Sequence, residues 1–128
     1  MNNQTTITDI FGPVISSYSR KQAIEDGYLH PVSELFPSDC RIYKYPVCFS
    51  NEVVNLIEGD NMGAWVWDIC FMSAKCPTKQ LDPTRQLFKV TLPRKKGTTA
   101  TKTFELMAIC GPDDNAAPCI TICFPNED

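Results

Sequence analysis

The chain has 128 residues, 43% of them apolar and 21% charged, the make-up of one ordinary folded domain, which argues against wholesale disorder. Twelve basic and 15 acidic side chains leave a formal charge of −3. That is too weakly acidic for a mimic of DNA, and it has the wrong sign for a chain that wraps nucleic acid non-specifically.

No apolar run approaches the roughly 20 residues that span a bilayer. The opening MNNQTTITDIF has neither a charged n-region nor an apolar h-region, so no signal peptide and no membrane partner are expected. Seven cysteines, an odd number without an export signal, read as free thiols of a reducing cytoplasm.

Residues 1–9 are polar and expected to be loose, which leaves 10–128 as a single domain. Ile10 to Ile15 is a short apolar entry that Gly12-Pro13 keeps from becoming helical. Ser19-x-x-Gln22 is a capping box and Gly27 suits a C′ position, so 19–26 is predicted to be a short helix, anchored by Tyr18 and Ile24. Tyr28–Val32 reads as extended, and Pro31 confines it to an edge. Ser33–Phe36 reads as one helical turn ended by Pro37.

Tyr45–Phe49 is again extended, and Ser50 then caps a predicted helix over Asn51–Glu58, closed by Gly59. In Ala64–Lys75 the residues Trp67, Cys70, Phe71 and Ala74 recur at helical spacing, although Trp65-Val66-Trp67 alone suits a strand; length favours the helix. Three alternating runs follow, Gln86–Leu92, Lys102–Cys110 and Cys119–Phe124, broken at Gly97 and at Gly111-Pro112. Period two over three such runs predicts an antiparallel meander. Helices first and strands last predict an α+β fold: N-terminal helices packed on a C-terminal antiparallel sheet of three to five strands.

The residues that carry chemistry are sparse. Cys119 and Cys123 lie four apart on one strand, about 13 Å at the usual rise, and no C-x-x-C occurs, so neither a metal nor a cofactor is expected. His30 is the single histidine. Any hydrolytic pair has to use it, with Asp26, Asp68, Asp113 or Asp114 as the carboxylate. No glycine-rich phosphate loop is present. The most ligand-like patch is the predicted helix start, where Ser19, Arg20 and Lys21 offer free N–H groups and positive charge and Tyr18 offers a stacking face. Trp65 and Trp67 point different ways, so one belongs to the core and the other is a candidate partner anchor. Asp113 and Asp114, after Gly-Pro in a hairpin connection, are candidate partner contacts beside their ordinary role in a turn. Arg94-Lys95-Lys96 is the basic cluster.

Three blocks, PVISSYSRKQAIEDGYLHPVSE, WVWDICFMSA and FKVTLPRK…FELMAICGPDDNAAPCITICFPNED, run in order over most of the chain. Together they resemble an uncharacterised family, a domain of unknown function, of small proteins carried by bacterial phages, plasmids and integrated elements. The resemblance implies a complete one-domain protein in a mobile-element setting and supplies no catalytic residue. The expected function is therefore a non-catalytic counter-defence protein that binds a host defence protein or sequesters a nucleotide immune signal. The alternatives are a small hydrolase built on His30 and a nucleic-acid-binding regulator built on Arg94–Lys96. A homo-oligomer paired through an apolar terminal strand is a further expectation.

Overall fold

The computed structural model describes residues 19–93, 101–112 and 114–127. Tyr18, Asp113, the basic cluster Arg94–Lys96 and the N-terminal segment 1–9 lie outside the described residues. In chain order the elements are α1 (Arg20–Glu25), β1 (Leu29–His30), α2 (Val32–Leu35), β2 (Val47–Ser50), α3 (Asn51–Ile57), α4 (Met62–Lys75), β3 (Lys79–Asp82), β4 (Arg85–Pro93), β5 (Thr101–Pro112), β6 (Pro118–Cys123) and a 3₁₀ turn (Pro125–Glu127).

Local chemistry sets most of these boundaries. Ser19 Oγ accepts from the Gln22 N–H at 2.9 Å and starts α1. The Gln22 amide does not complete the capping box; it donates forward to Asp26 Oδ1 at 3.0 Å, one helical turn on. Gly27, at φ +83°, ends α1 as the sequence requires. The Tyr28 N–H reaches the Ala23 carbonyl and the Gly27 N–H reaches that of Ile24, so the last carbonyls are satisfied. Ser50 Oγ accepts from the Val53 N–H and starts α3.

The fold is α+β, and the described residues form one six-stranded sheet in the order β1-β2-β6-β5-β4-β3. The expected antiparallel sheet of three to five strands is corrected on two counts. The N-terminal half contributes two strands of its own, and the sheet is mixed, because β2 runs parallel to β6 with Val47, Cys48 and Phe49 opposite Ile120, Thr121 and Ile122. All four residues of β2 are buried, so its backbone needs partners on both edges; β1 supplies one and β6 the other. β6 is thereby an interior strand, flanked by β2 and β5, and the two-fold pairing expected through the terminal strand has no open edge there.

β3 was not expected at all. Its residues Lys-Gln-Leu-Asp are mostly exposed and carry no alternation, and only the pairing to β4 makes them a strand. At the β3–β4 turn Asp82 accepts from the hydroxyl and the N–H of Thr84, at 2.7 and 2.8 Å, and from Arg85 Nη1 at 3.1 Å.

One face of the sheet carries the core. Phe49, Phe88, Val90, Leu92, Leu106 and Ile122 pack there with Val53 and Ile57 of α3 and Val66, Ile69 and Cys70 of α4. α4 is a helix, as its length predicts, but it is rotated from the expected stripe: the buried residues are Val66, Ile69, Cys70 and Ser73 rather than Trp67, Cys70, Phe71 and Ala74. Ser73 tolerates burial because its hydroxyl donates to the Cys70 carbonyl at 2.9 Å and lies 2.6 Å from the Tyr43 hydroxyl. Burial in turn pushes the Tyr43 phenol above its ordinary range. The segment from Phe36 to Tyr43 is thus fitted along α4 at three levels. At the start, a Cβ at Gly63 would stand 2.8 Å from Asp39 Oδ2 and 3.3 Å from the Phe36 ring. In the middle, the Cys40 and Cys70 sulfurs are 4.0 Å apart, and at the end Tyr43 meets Ser73.

Two outcomes follow from this architecture. Phe49→Ala, which empties a fully buried position on the strand that joins the two halves, lowers the unfolding free energy by about 3–5 kcal/mol in urea titrations. The three bonds at the β3–β4 turn, led by the Thr84 hydroxyl, hold the Asp82 carboxyl down at about 2. A carboxylate depressed in the folded state contributes fully above its ordinary value and loses that contribution as pH falls toward 2. NMR titration of the side-chain carboxyls should give Asp82 a midpoint near 2, and Asp82→Asn should remove that part of the acid sensitivity.

Candidate functional site

The helix start singled out in the sequence is already engaged by the chain itself. With Ser19 capping the Gln22 N–H, the next two amides, those of Arg20 and Lys21, both meet the carboxylate of Asp114. The Arg20 N–H donates to Oδ1 at 2.8 Å and the Lys21 N–H to Oδ2 at 2.9 Å. A carboxylate on two successive helix-start amides stands where an anion's oxygens would stand. Two groups of residues that the sequence placed in separate sites, Ser19-Arg20-Lys21 and Asp114, are one cluster.

Arg20 contributes twice. Its guanidinium turns to the face of the sheet opposite the core, donating from Nη1 to Thr121 Oγ1 at 2.9 Å and from Nη2 to the Ile120 carbonyl at 3.1 Å. Its positive charge also acts on Cys48, whose thiol burial pushes up while Arg20 pulls it down. This second face is apolar near β6, where Cys48, Met107, Cys119 and Cys123 are all buried. Lys21 instead points outward, 4.0 Å from Glu25 in an exposed pair of the kind that stabilises little.

Asp114 sits in the turn between β5 and β6, and two residues later Ala116 has φ +64°, the only non-glycine positive φ among the described residues. An alanine in that region costs on the order of 1 kcal/mol. Asp114 joins this turn to α1 through its two bonds to the Arg20 and Lys21 amides.

His30 lies on β1, and its Nε2 is 3.0 Å from Asn51 Oδ1, a carboxamide oxygen that accepts the ring N–H. A carboxamide takes no proton, so this contact orients the ring without supplying the carboxylate that the hydrolytic reading invoked. Beside it, Ser50 Oγ donates to Glu127 Oε2 at 2.9 Å, and the same oxygen accepts from the Phe124 N–H at 2.6 Å. Those bonds fasten the 3₁₀ turn over the start of α3. Asp68, on α4, has its carboxyl pushed up by burial. Among the described residues no group of three or more His, Cys, Asp or Glu side chains converges as metal ligands.

The two tryptophans part company on α4. Trp65 packs against the core. Trp67 is 37% exposed and stacks flat on Phe71 one turn later, with ring centroids 5.0 Å apart and an interplanar angle of 14°. The spacing of i and i+4 on a helix makes that pair, and it forms a continuous aromatic surface on the outer flank. Tyr28, Leu35, Tyr45 and Leu81 are the other exposed large hydrophobic side chains among the described residues.

Comparison with protein-family models, with curated proteins and with solved structures finds no match to this chain.

Asp114→Ala strips two charge-assisted bonds from α1 and should cost about 1–2 kcal/mol in chemical denaturation. Amide exchange at Arg20 and Lys21 should accelerate with it, while exchange in β4 and β5 stays as in the unaltered chain. Unchanged exchange at those two amides would show that the carboxylate does not hold them.

Proposed function

We propose that the chain is a non-catalytic accessory protein of a phage or plasmid, a counter-defence protein that acts by occupying a host defence protein through the outer flank of α4. The observation that supports this reading is Trp67, an indole kept partly in solvent and held flat by Phe71 on a helix whose other side is anchored in the core. A rigid aromatic with a large apolar area and a single N–H donor is the side chain most enriched among interface anchors, because little conformational freedom is lost when it is covered. The mobile-element setting comes from the resemblance of the three sequence blocks.

The nucleotide-sequestering version has weaker support. The amides that a phosphate would take carry Asp114, and the Arg20 guanidinium is spent on β6. A phosphate would have to displace a carboxylate that is covalently part of the same chain and is present at high effective concentration.

The test is a plating assay on bacteria that carry a defence system, coupled to co-purification of the defence protein. The unaltered chain should restore phage plating and hold its target. Trp67→Ala should lower affinity at least tenfold and abolish the rescue, with a melting temperature within about 1 °C of the parent. Full rescue by Trp67→Ala, or micromolar binding of a cyclic nucleotide in calorimetry, would overturn the reading.

A further inference from the structure

We propose that Cys40 and Cys70 are a peroxide-responsive thiol pair, closing to a disulfide that staples the Phe36–Tyr43 segment to α4. Their sulfurs lie 4.0 Å apart, with the Cys70 S–H directed at Cys40 Sγ. A disulfide needs about 2.05 Å, so closure asks each sulfur to move by roughly 1 Å. Both residues are buried, at 3% and 0% exposure, and they come from different parts of the chain, an irregular segment and the middle of a helix.

The two thiols are chemically unequal. Cys40 accepts the hydrogen bond from Cys70, which draws its thiol below the ordinary value against the opposing effects of burial and of Asp39. Cys70, as the donor, is held above its own. Cys40 lies on the irregular segment and Cys70 inside a helix, so Cys40 is the sulfur that an entering oxidant meets first. Access comes through the Phe36–Tyr43 segment, whose backbone bonds among the described residues are short-range: Phe36 N–H to the Val32 carbonyl, Asp39 and Cys40 N–H to that of Phe36, Cys40 N–H also to that of Pro37, and Tyr43 N–H to that of Cys40. Such a segment opens locally at a fraction of the cost of global unfolding, and a peroxide is small enough to enter.

The chemistry balances with hydrogen peroxide as the oxidant. The Cys40 thiolate attacks one peroxide oxygen, the O–O bond breaks, and the leaving hydroxide takes a proton as water, which gives a sulfenic acid. The Cys70 sulfur then attacks Cys40 Sγ, its proton leaves with the hydroxyl as a second water, and the S–S bond forms. Two thiols and one peroxide become one disulfide and two waters. The product is neutral, which suits a buried site beside the Asp39 carboxylate better than a thiolate pair holding a cation would.

The reduced full-length chain, treated with hydrogen peroxide, blocked with an alkylating reagent and digested, should yield a Cys40–Cys70 linked peptide by fragmentation mass spectrometry. The intact mass should fall by about 2 Da, and dithiothreitol should reverse it. The oxidised form closes a loop of roughly thirty residues and should melt about 5–10 °C above the reduced form. Cys40→Ser and, independently, Cys70→Ala should each remove both the link and the thermal shift. Exposed Cys76 and Cys110 provide the contrast. If oxidation appears only there, or if Cys40 and Cys70 both alkylate fully after unfolding of the peroxide-treated chain, the pair is structural and the proposal fails.

Discussion

The parallel contact between β2 and β6 is the constraint on which the rest of the structure rests. It is three residue pairs long, from Val47–Ile120 to Phe49–Ile122, and it joins an N-terminal half of two strands and the helices α1 to α4 to a C-terminal ribbon of four consecutive antiparallel strands. Every backbone group on a fully buried strand must find a partner within the protein. β2 has water on neither face, so without β6 its outer edge would be left with unpaired donors and acceptors at a cost of about 1–3 kcal/mol each. The Ile120 N–H, bonded to the Pro46 carbonyl at 2.8 Å, extends the seam by one more link.

Arg20 and Asp114 secure the same seam from the face opposite the core. The guanidinium spans Thr121 and Ile120 on β6 and its charge acts on the thiol of Cys48 on β2. The carboxylate meanwhile ties the β5–β6 turn to the first amides of α1. The features that looked most like a ligand site in the sequence serve first to lock the two halves together. The exposed aromatic flank of α4 stands apart from this clasp, which is why the functional proposal rests on Trp67 rather than on the helix start.

What was legible in the sequence was what short-range chemistry decides. Ser19, Gly27 and Ser50 announced two helices through caps that act over three or four residues. Phe88, Val90 and Leu92 announced a strand through alternation that burial confirms. The partnerships were not legible. Nothing in Val47–Phe49 says that its neighbour is Ile120–Ile122 rather than another apolar run, and nothing in a Gly-Pro-Asp-Asp-Asn turn says that its second aspartate will meet amides 93 and 94 residues upstream. β3 was missed because its residues carry no intrinsic strand signal; β4 imposes it. The stripe on α4 was placed one flank away because Trp67 and Phe71 look like core residues by type, while Ser73 does not. Its burial depends on Tyr43, thirty positions earlier, which a helical wheel cannot see.

The position of β2 also bears on how the chain is made. A ribosome delivers the chain from its N-terminus, so β2 and its apolar Val47 and Phe49 emerge long before β6 exists to cover them. Of its two partners in the finished sheet, only β1, two residues long and followed by Pro31, is present during that interval. The sheet cannot be complete until β6, which lies between β2 and β5, has been made. Until then β2 keeps an apolar strand edge unpaired, the feature that makes incomplete chains prone to association.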